Sequence, residues 1–174
     1  MDNLKIVARD WLDREDRAGR DGRVARLEWL GHRMPESELL TFPGGWVAKY
    51  LFEEARYCFA YGQFMATIVL GLAFLERTLA ALFYAAGRND LERASVSLLL
   101  GESHKVGWLT DEEFKQLDEV RTFRNPVTHF RAPLTPDTVE ARALACGELP
   151  YSVLESDARK VMAAVFHVLS RNAV

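Results

Sequence analysis

The sequence predicts an all-α protein, a helical bundle built around one long apolar helix. Three observations carry this. From Trp46 to Gly87 the chain is strongly apolar and free of proline, with only Gly62 and Gly71 interrupting, a run too long for a strand. Thr110 and Glu113 have the spacing of a capping box ahead of a second helical pattern. No segment shows the period-two alternation of a half-buried strand, and no repeat or low-complexity tract stands out.

Taken in order, Asp2 to about Arg17 carries Leu4, Val7, Trp11 and Leu12 at helical spacing against Asp, Arg and Glu, an amphipathic helix. Gly19 and Gly22 are expected to break it, Arg23 to Leu30 to form a further helical stretch, and Gly31 with Pro35 to turn the chain. After Thr41-Phe42-Pro43-Gly44-Gly45 the apolar run divides near Gly62 into two long helices. Gly87 suits a helix end, Asn89 or Asp90 a cap for Leu91 to Leu100, and Gly101 a stop followed by loop to Leu109. Asp111 to about Arg124 is helical, with Asp111 and Glu112 in the positive first turn. Thr135-Pro136 is expected to open a short helix ending by Gly147, and Ser156-Asp157 to open the last, which carries Val161, Val165, Val168 and Leu169 on one face.

At 174 residues the chain is read as one domain, long enough to bury about 70% of its unfolded surface. Cys58 and Cys146 belong to no Cys-x-x-Cys pair and no zinc-type cluster, which fits a reducing cytoplasm and predicts neither metal nor cofactor. The opening Met1-Asp2-Asn3-Leu4-Lys5 does not read as a signal peptide. A net charge of −3 argues against a general nucleic-acid coat and leaves room for a local basic cleft. Residues 64–86 are apolar enough to raise the question of a membrane span. Glu76 and Arg77 near the middle would each oppose insertion by about 2.5–3.5 kcal/mol, so a buried helix and no membrane contact are expected.

The stretch richest in chemistry is Arg121-Thr122-Phe123-Arg124-Asn125-Pro126-Val127-Thr128-His129-Phe130. On the preceding helix Phe114, Leu117 and Val120 form an inward stripe, and 100° per residue puts Arg124 at its centre. Pro126 disfavours α geometry at Asn125 and suits the first position of a new turn capped by the Asn side chain. A phosphate could then meet free N–H groups and the Arg124 guanidinium, with His129 close enough to move a proton. The bland alternative for the same residues is an inward Arg124 paired with a buried Glu76 and an ordinary Asn-Pro turn. Spacing alone is weak, since Arg26 and His32 meet it as well. Of the other histidines, His167 falls on a polar helix face and His32 and His104 in expected loops. Serine and cysteine nucleophile motifs, phosphate-binding glycine loops and His-Glu-x-x-His are absent from the sequence.

Arg124-Asn125-x-x-x-His129 after a Leu-rich helix resembles the signature of the HEPN superfamily, an Arg followed four to six residues later by His. The run from Ala55 through Tyr61-Gly62-Gln63-Phe64 to Leu75-Glu76-Arg77-Thr78-Leu79 is similar to that family's upstream helices, so the resemblance covers roughly 50–131. It implies a bundle that forms a homodimer with two motifs facing one cleft. The activity it implies is metal-independent RNA endonucleolysis, often in toxin–antitoxin or phage-defence systems with an antitoxin-type protein partner. By the same resemblance Arg124 would bind the scissile phosphate, His129 would exchange protons with the attacking or leaving oxygen, Asn125 would orient the site and Glu76 would anchor Arg124. Arg121 and Arg131 would add local attraction for RNA. Many relatives are not enzymes, so a non-catalytic module binding nucleotide, RNA or a protein partner stands beside the ribonuclease reading, and a purely structural helical protein behind both.

Overall fold

The computed structural model describes residues 2–35, 40–132 and 134–172. Its elements are α1 (Asp2–Gly31), α2 (Gly45–Ala60), α3 (Phe64–Ala85), a 3-10 turn (Asn89–Leu91), α4 (Val96–Lys105), α5 (Asp111–Thr122), α6 (Asn125–Thr128), α7 (Val139–Cys146) and α8 (Pro150–Ser170). No strand occurs among the described residues. The all-α bundle around the apolar α3 is as the sequence predicts.

α3 is central because its apolar residues occupy both flanks. Phe64, Ile68, Leu72, Phe74, Leu75, Leu79 and Phe83 are buried, against α2 on one side and α8 on the other. Gly71 sets the distance to α8: a Cβ there would stand 2.5 Å from Val161 Cγ1, closer than carbon atoms approach. Phe52 of α2 lies 6.0 Å from Phe74 and 5.9 Å from Phe166, tying α2, α3 and α8 into one aromatic core. α3 is long and apolar enough to cross a bilayer, and half of its most apolar window is buried inside the bundle. The break near Gly62 falls where expected, since this glycine supplies a left-handed φ of +76° between α2 and α3.

Several boundaries differ from expectation, each for a local reason. Gly19 and Gly22 do not break α1, which runs unbroken for 30 residues. A helical glycine costs only about 1 kcal/mol against alanine, and the Arg23 and Arg26 guanidinium groups cover the bare backbone at the two glycines. Gly101 likewise lies inside a helix: Asn89 and Asp90 enter a 3-10 turn, and Ser95 caps α4 by accepting from the Leu98 N–H. The loop expected from Gly101 to Leu109 shrinks accordingly. α7 starts after Thr138, whose hydroxyl accepts from the Ala141 N–H, and ends at Gly147 in the left-handed region. α8 begins at Pro150, six residues before Ser156, because proline suits a first helical position. The capping box is complete, with Glu113 Oε2 accepting from the Thr110 N–H at 2.8 Å and Thr110 Oγ1 accepting from the Glu113 N–H at 3.3 Å.

Candidate functional site

The site residues gather where α5 gives way to α6. α5 ends at Thr122, and Phe123 turns into the core, 7% exposed, under the Arg142 and Lys160 cations. Arg124 therefore does not continue the inward stripe. It is half exposed, with Nη1 3.9 Å from Glu76 Oε2, and Glu76 is itself 42% exposed. The expectation of a core-facing arginine fails because a regular 100° step was carried past the last helical residue. The partner is the one expected, but the pair lies at the surface.

α6 is a single turn. Arg124 holds its cap position and Asn125 its first helical residue, so the Asn side chain forms no cap bond and α geometry survives the following Pro126. The Val127 and Thr128 N–H groups both donate to the Arg124 carbonyl, at 3.1 and 2.9 Å, and Thr128 Oγ1 donates to it at 3.0 Å. The expected cradle of free N–H groups is thus absent at this turn. His129 follows α6 in extended conformation, its N–H donating to the Asn125 carbonyl at 3.0 Å. Its imidazole is exposed, and no ion pair or side-chain hydrogen bond joins it to another described residue. Phe130 beside it is 92% exposed.

Residues of this corner line two hollows. The first, about 790 Å³, lies between the start of α2, the outer face of α3 and residues 92–94, and is lined by Glu76, Arg77, Tyr84, Arg93 and Arg124 among others. The second, about 570 Å³, is lined by Pro126, His129, Phe130, Arg131, Thr138 and Glu140 among others. Arg124 and Glu76 are thus brought together in the first hollow, and His129 and Arg131 in the second, whose wall includes Pro126, Val127 and Thr128 of α6. Arg131 lies 3.7 Å from Asp137, while Arg121 donates to Asp118 and lines neither hollow. With three arginines against Glu76 and Glu92, the first hollow is locally cationic on an acidic chain.

Sequence reasoning missed Arg77, Arg93, Tyr84 and Phe130. Glu76, Arg77, Ala80 and Tyr84 share one side of α3 at helical spacing, a signal obscured by the apolar residues around them. Arg93 arrives through the 3-10 turn and has no local signature. Arg77 is partly committed, its Nε donating to the Gly44 carbonyl at 2.9 Å. His104, expected in a loop, is helical and stands 2.6 Å from Asp111. No group of three His, Cys, Asp or Glu side chains converges among the described residues. No protein-family model matches the chain, and neither a curated protein nor a solved structure does.

Proposed function

We propose that the chain is a HEPN-like domain that binds RNA at the Arg124–His129 corner and cleaves it without a metal ion. The observation that carries the reading is the exposure of Arg124, His129 and Phe130 around one turn of helix, a cation, a proton carrier and an aromatic face in succession. Arg124, loosely held by Glu76, would take the phosphate. Phe130 would stack a base, and Arg131 would meet a neighbouring phosphate. His129 would then accept the proton of the attacking 2′-hydroxyl or return one to the 5′-oxygen as it leaves, giving a 2′,3′-cyclic phosphate and a 5′-hydroxyl.

A second reading keeps the RNA and omits the cleavage. It is favoured by the separation of Arg124 and His129 into different hollows, which leaves a phosphate among Arg77, Arg93 and Arg124 without a proton carrier in the same hollow. One experiment covers both: purified protein is incubated in EDTA with mixed RNA, and cleavage and binding are followed for wild type, His129→Ala and Arg124→Ala. Cleavage that survives EDTA and falls about 10²–10⁴-fold in His129→Ala supports the enzyme. Binding without cleavage, weakened in Arg124→Ala, supports the module. RNA neither bound nor cut, or cleavage unchanged in both variants, sinks the site.

A further inference from the structure

The first hollow, about 790 Å³, is far larger than one phosphate and falls within the roughly 300–1,000 Å³ of clefts that enclose whole small ligands. Part of its lining is a set of methyl groups. At 100° per residue Ala73, Ala80 and Ala81 fall on the side of α3 that also carries Glu76, Arg77 and Tyr84, and Ala94 adds a fourth methyl from the segment beyond the 3-10 turn. Short side chains at these positions leave open a space that longer apolar ones would fill.

Three polar groups around those methyls are uncommitted. Tyr84 is 60% exposed and stacks on no other described ring, and neither Glu92 nor Arg93 makes an ion pair or a side-chain hydrogen bond with a described residue. The backbone that carries the two charges is nonetheless held. Leu91 is buried, the Ala94 N–H donates to the Leu91 carbonyl at 3.1 Å, and Arg88 bridges Asp90 at 2.8 Å and Glu102 at 3.2 Å. Glu92 and Arg93 thus stand side by side on a fixed segment, with their hydrogen-bonding ends unused.

We propose that this hollow takes one base of the bound strand and selects guanine, an inference that rests on RNA being the ligand of the Arg124 corner. Unpaired RNA bases are recognised by stacking on aromatic rings and by hydrogen bonds along their edges, and Tyr84 offers the ring. Glu92 decides which base. An ionised carboxylate only accepts, and guanine presents two donors side by side, N1–H and the N2 amino group, to its two oxygens. Guanine O6 and N7 both accept, and Arg93 supplies the fork of donors that fits them. Adenine and cytosine each set a ring-nitrogen acceptor beside their amino group, and uracil places its one N–H between two carbonyls, so each turns an acceptor toward a Glu92 oxygen. A site for phosphate alone would leave the methyl groups unused and Glu92 repelling its ligand. Glu76, the partner of Arg124, lies eight residues before Tyr84, roughly 12 Å along α3, so base and phosphate belong to one short stretch of strand.

The test is fluorescence anisotropy in EDTA with labelled oligouridylates that carry a single central guanosine, adenosine or inosine, so that length and charge are constant. His129→Ala protein keeps the strands whole, and circular dichroism checks folding. The guanosine strand is expected to bind about 5- to 150-fold more tightly than the adenosine strand, the worth of one good bidentate contact to a base. Inosine, which lacks the N2 amino group, should fall between them. Adding Glu92→Gln, at an exposed position, puts an amide donor where an oxygen accepted and should abolish the preference, while any gain from the lost negative charge is shared by all three strands. Equal binding of the three strands would overturn the guanine pocket and leave the RNA reading standing. A preference for adenosine, or a guanosine preference that survives Glu92→Gln, would overturn it too. Failure to bind any of the strands would remove the RNA reading and this inference together.

Discussion

Arg124 Nη1 stands 3.9 Å from Glu76 Oε2 across a surface where both side chains keep more than 40% of their exposure. A pair so open and so long contributes little to folding, about 0–1 kcal/mol, and its effect falls on whatever anion approaches Arg124. Glu76→Gln should therefore leave the denaturation midpoint nearly unchanged. It should tighten RNA binding about fivefold at low salt, the worth of one charge near 4 Å in water. Fluorescence anisotropy at fixed ionic strength reads this directly. Weaker or unaltered binding would remove Arg124 from the phosphate contact.

Phe130 is 92% exposed on a segment that also offers His129 and Arg131. A side chain so placed has almost nothing to lose in stability on truncation. If it is a stacking platform, Phe130→Ala should weaken RNA binding by about 1–3 kcal/mol per stacked base, with an unchanged melting curve. Equal affinities for the two proteins would leave the phenyl ring without a role in the site.

The bundle was legible because its signals are local: a proline-free apolar run for α2 and α3, a capping box for α5, a left-handed glycine after α7. Glycine within α1 and α4 misled, since Gly19, Gly22 and Gly101 are tolerated where neighbouring residues favour helix. The Glu76–Arg124 pairing was legible as the plain alternative for an arginine at this helix end and as what the family resemblance implies, although its depth was not. That depth turned on a single residue, Phe123, taking the buried place at the end of α5. Arg93 joins Arg124 only through the tertiary path of residues 89–94, which no window of sequence reveals.

Arg142, whose guanidinium lies over the Phe123 ring, forms a bidentate ion pair with Asp157. Two parallel hydrogen bonds of 2.7 and 2.6 Å join them, and Asp157 is 2% exposed. The aspartate holds the guanidinium pKa above its ordinary value, chiefly through these bonds. Arg142→Ala leaves a buried carboxylate alone and should cost about 3–5 kcal/mol, releasing α7 from α8 and uncovering Phe123 beneath the corner. Replacing both residues by Met and Leu should restore most of the loss. Urea midpoints decide, and a shift under 1 kcal/mol for Arg142→Ala would show that the pair does not hold α7.

Glycines at two places in helices should respond with opposite sign. Gly71→Ala drives a methyl against Val161 where α3 crosses α8 and should destabilise by about 1–3 kcal/mol, as overpacking of a close core does. Gly19→Ala meets only the tip of Arg23, 2.8 Å away and free to move, so the helix gains about 0.5–1 kcal/mol of propensity. Helicity at 222 nm should rise in the second variant. Stabilisation by Gly71→Ala would mean that the α3–α8 spacing is set elsewhere.

Acid should weaken the protein through Glu113. Its carboxylate accepts the Thr110 N–H, which holds its pKa below the ordinary 4.5, and Arg171 and His167 nearby act in the same direction. A carboxyl whose pKa is depressed on folding contributes stability that is complete above the unfolded value and is lost as pH falls through the folded one. The decline therefore sets in below about pH 4.5. Glu102, held low first by Lys105 and then by Arg88, and Asp90, held low by Arg88, add to the same arm. Glu113→Gln keeps an acceptor for the capping box and removes the charge, so it should flatten the acid limb while changing stability at pH 7 by less than Glu113→Ala, which loses the cap at about 1 kcal/mol. Urea midpoints measured from pH 3.5 to 7 give the comparison. A Gln variant with the wild-type slope below pH 4.5 would show that other carboxylates carry the acid transition.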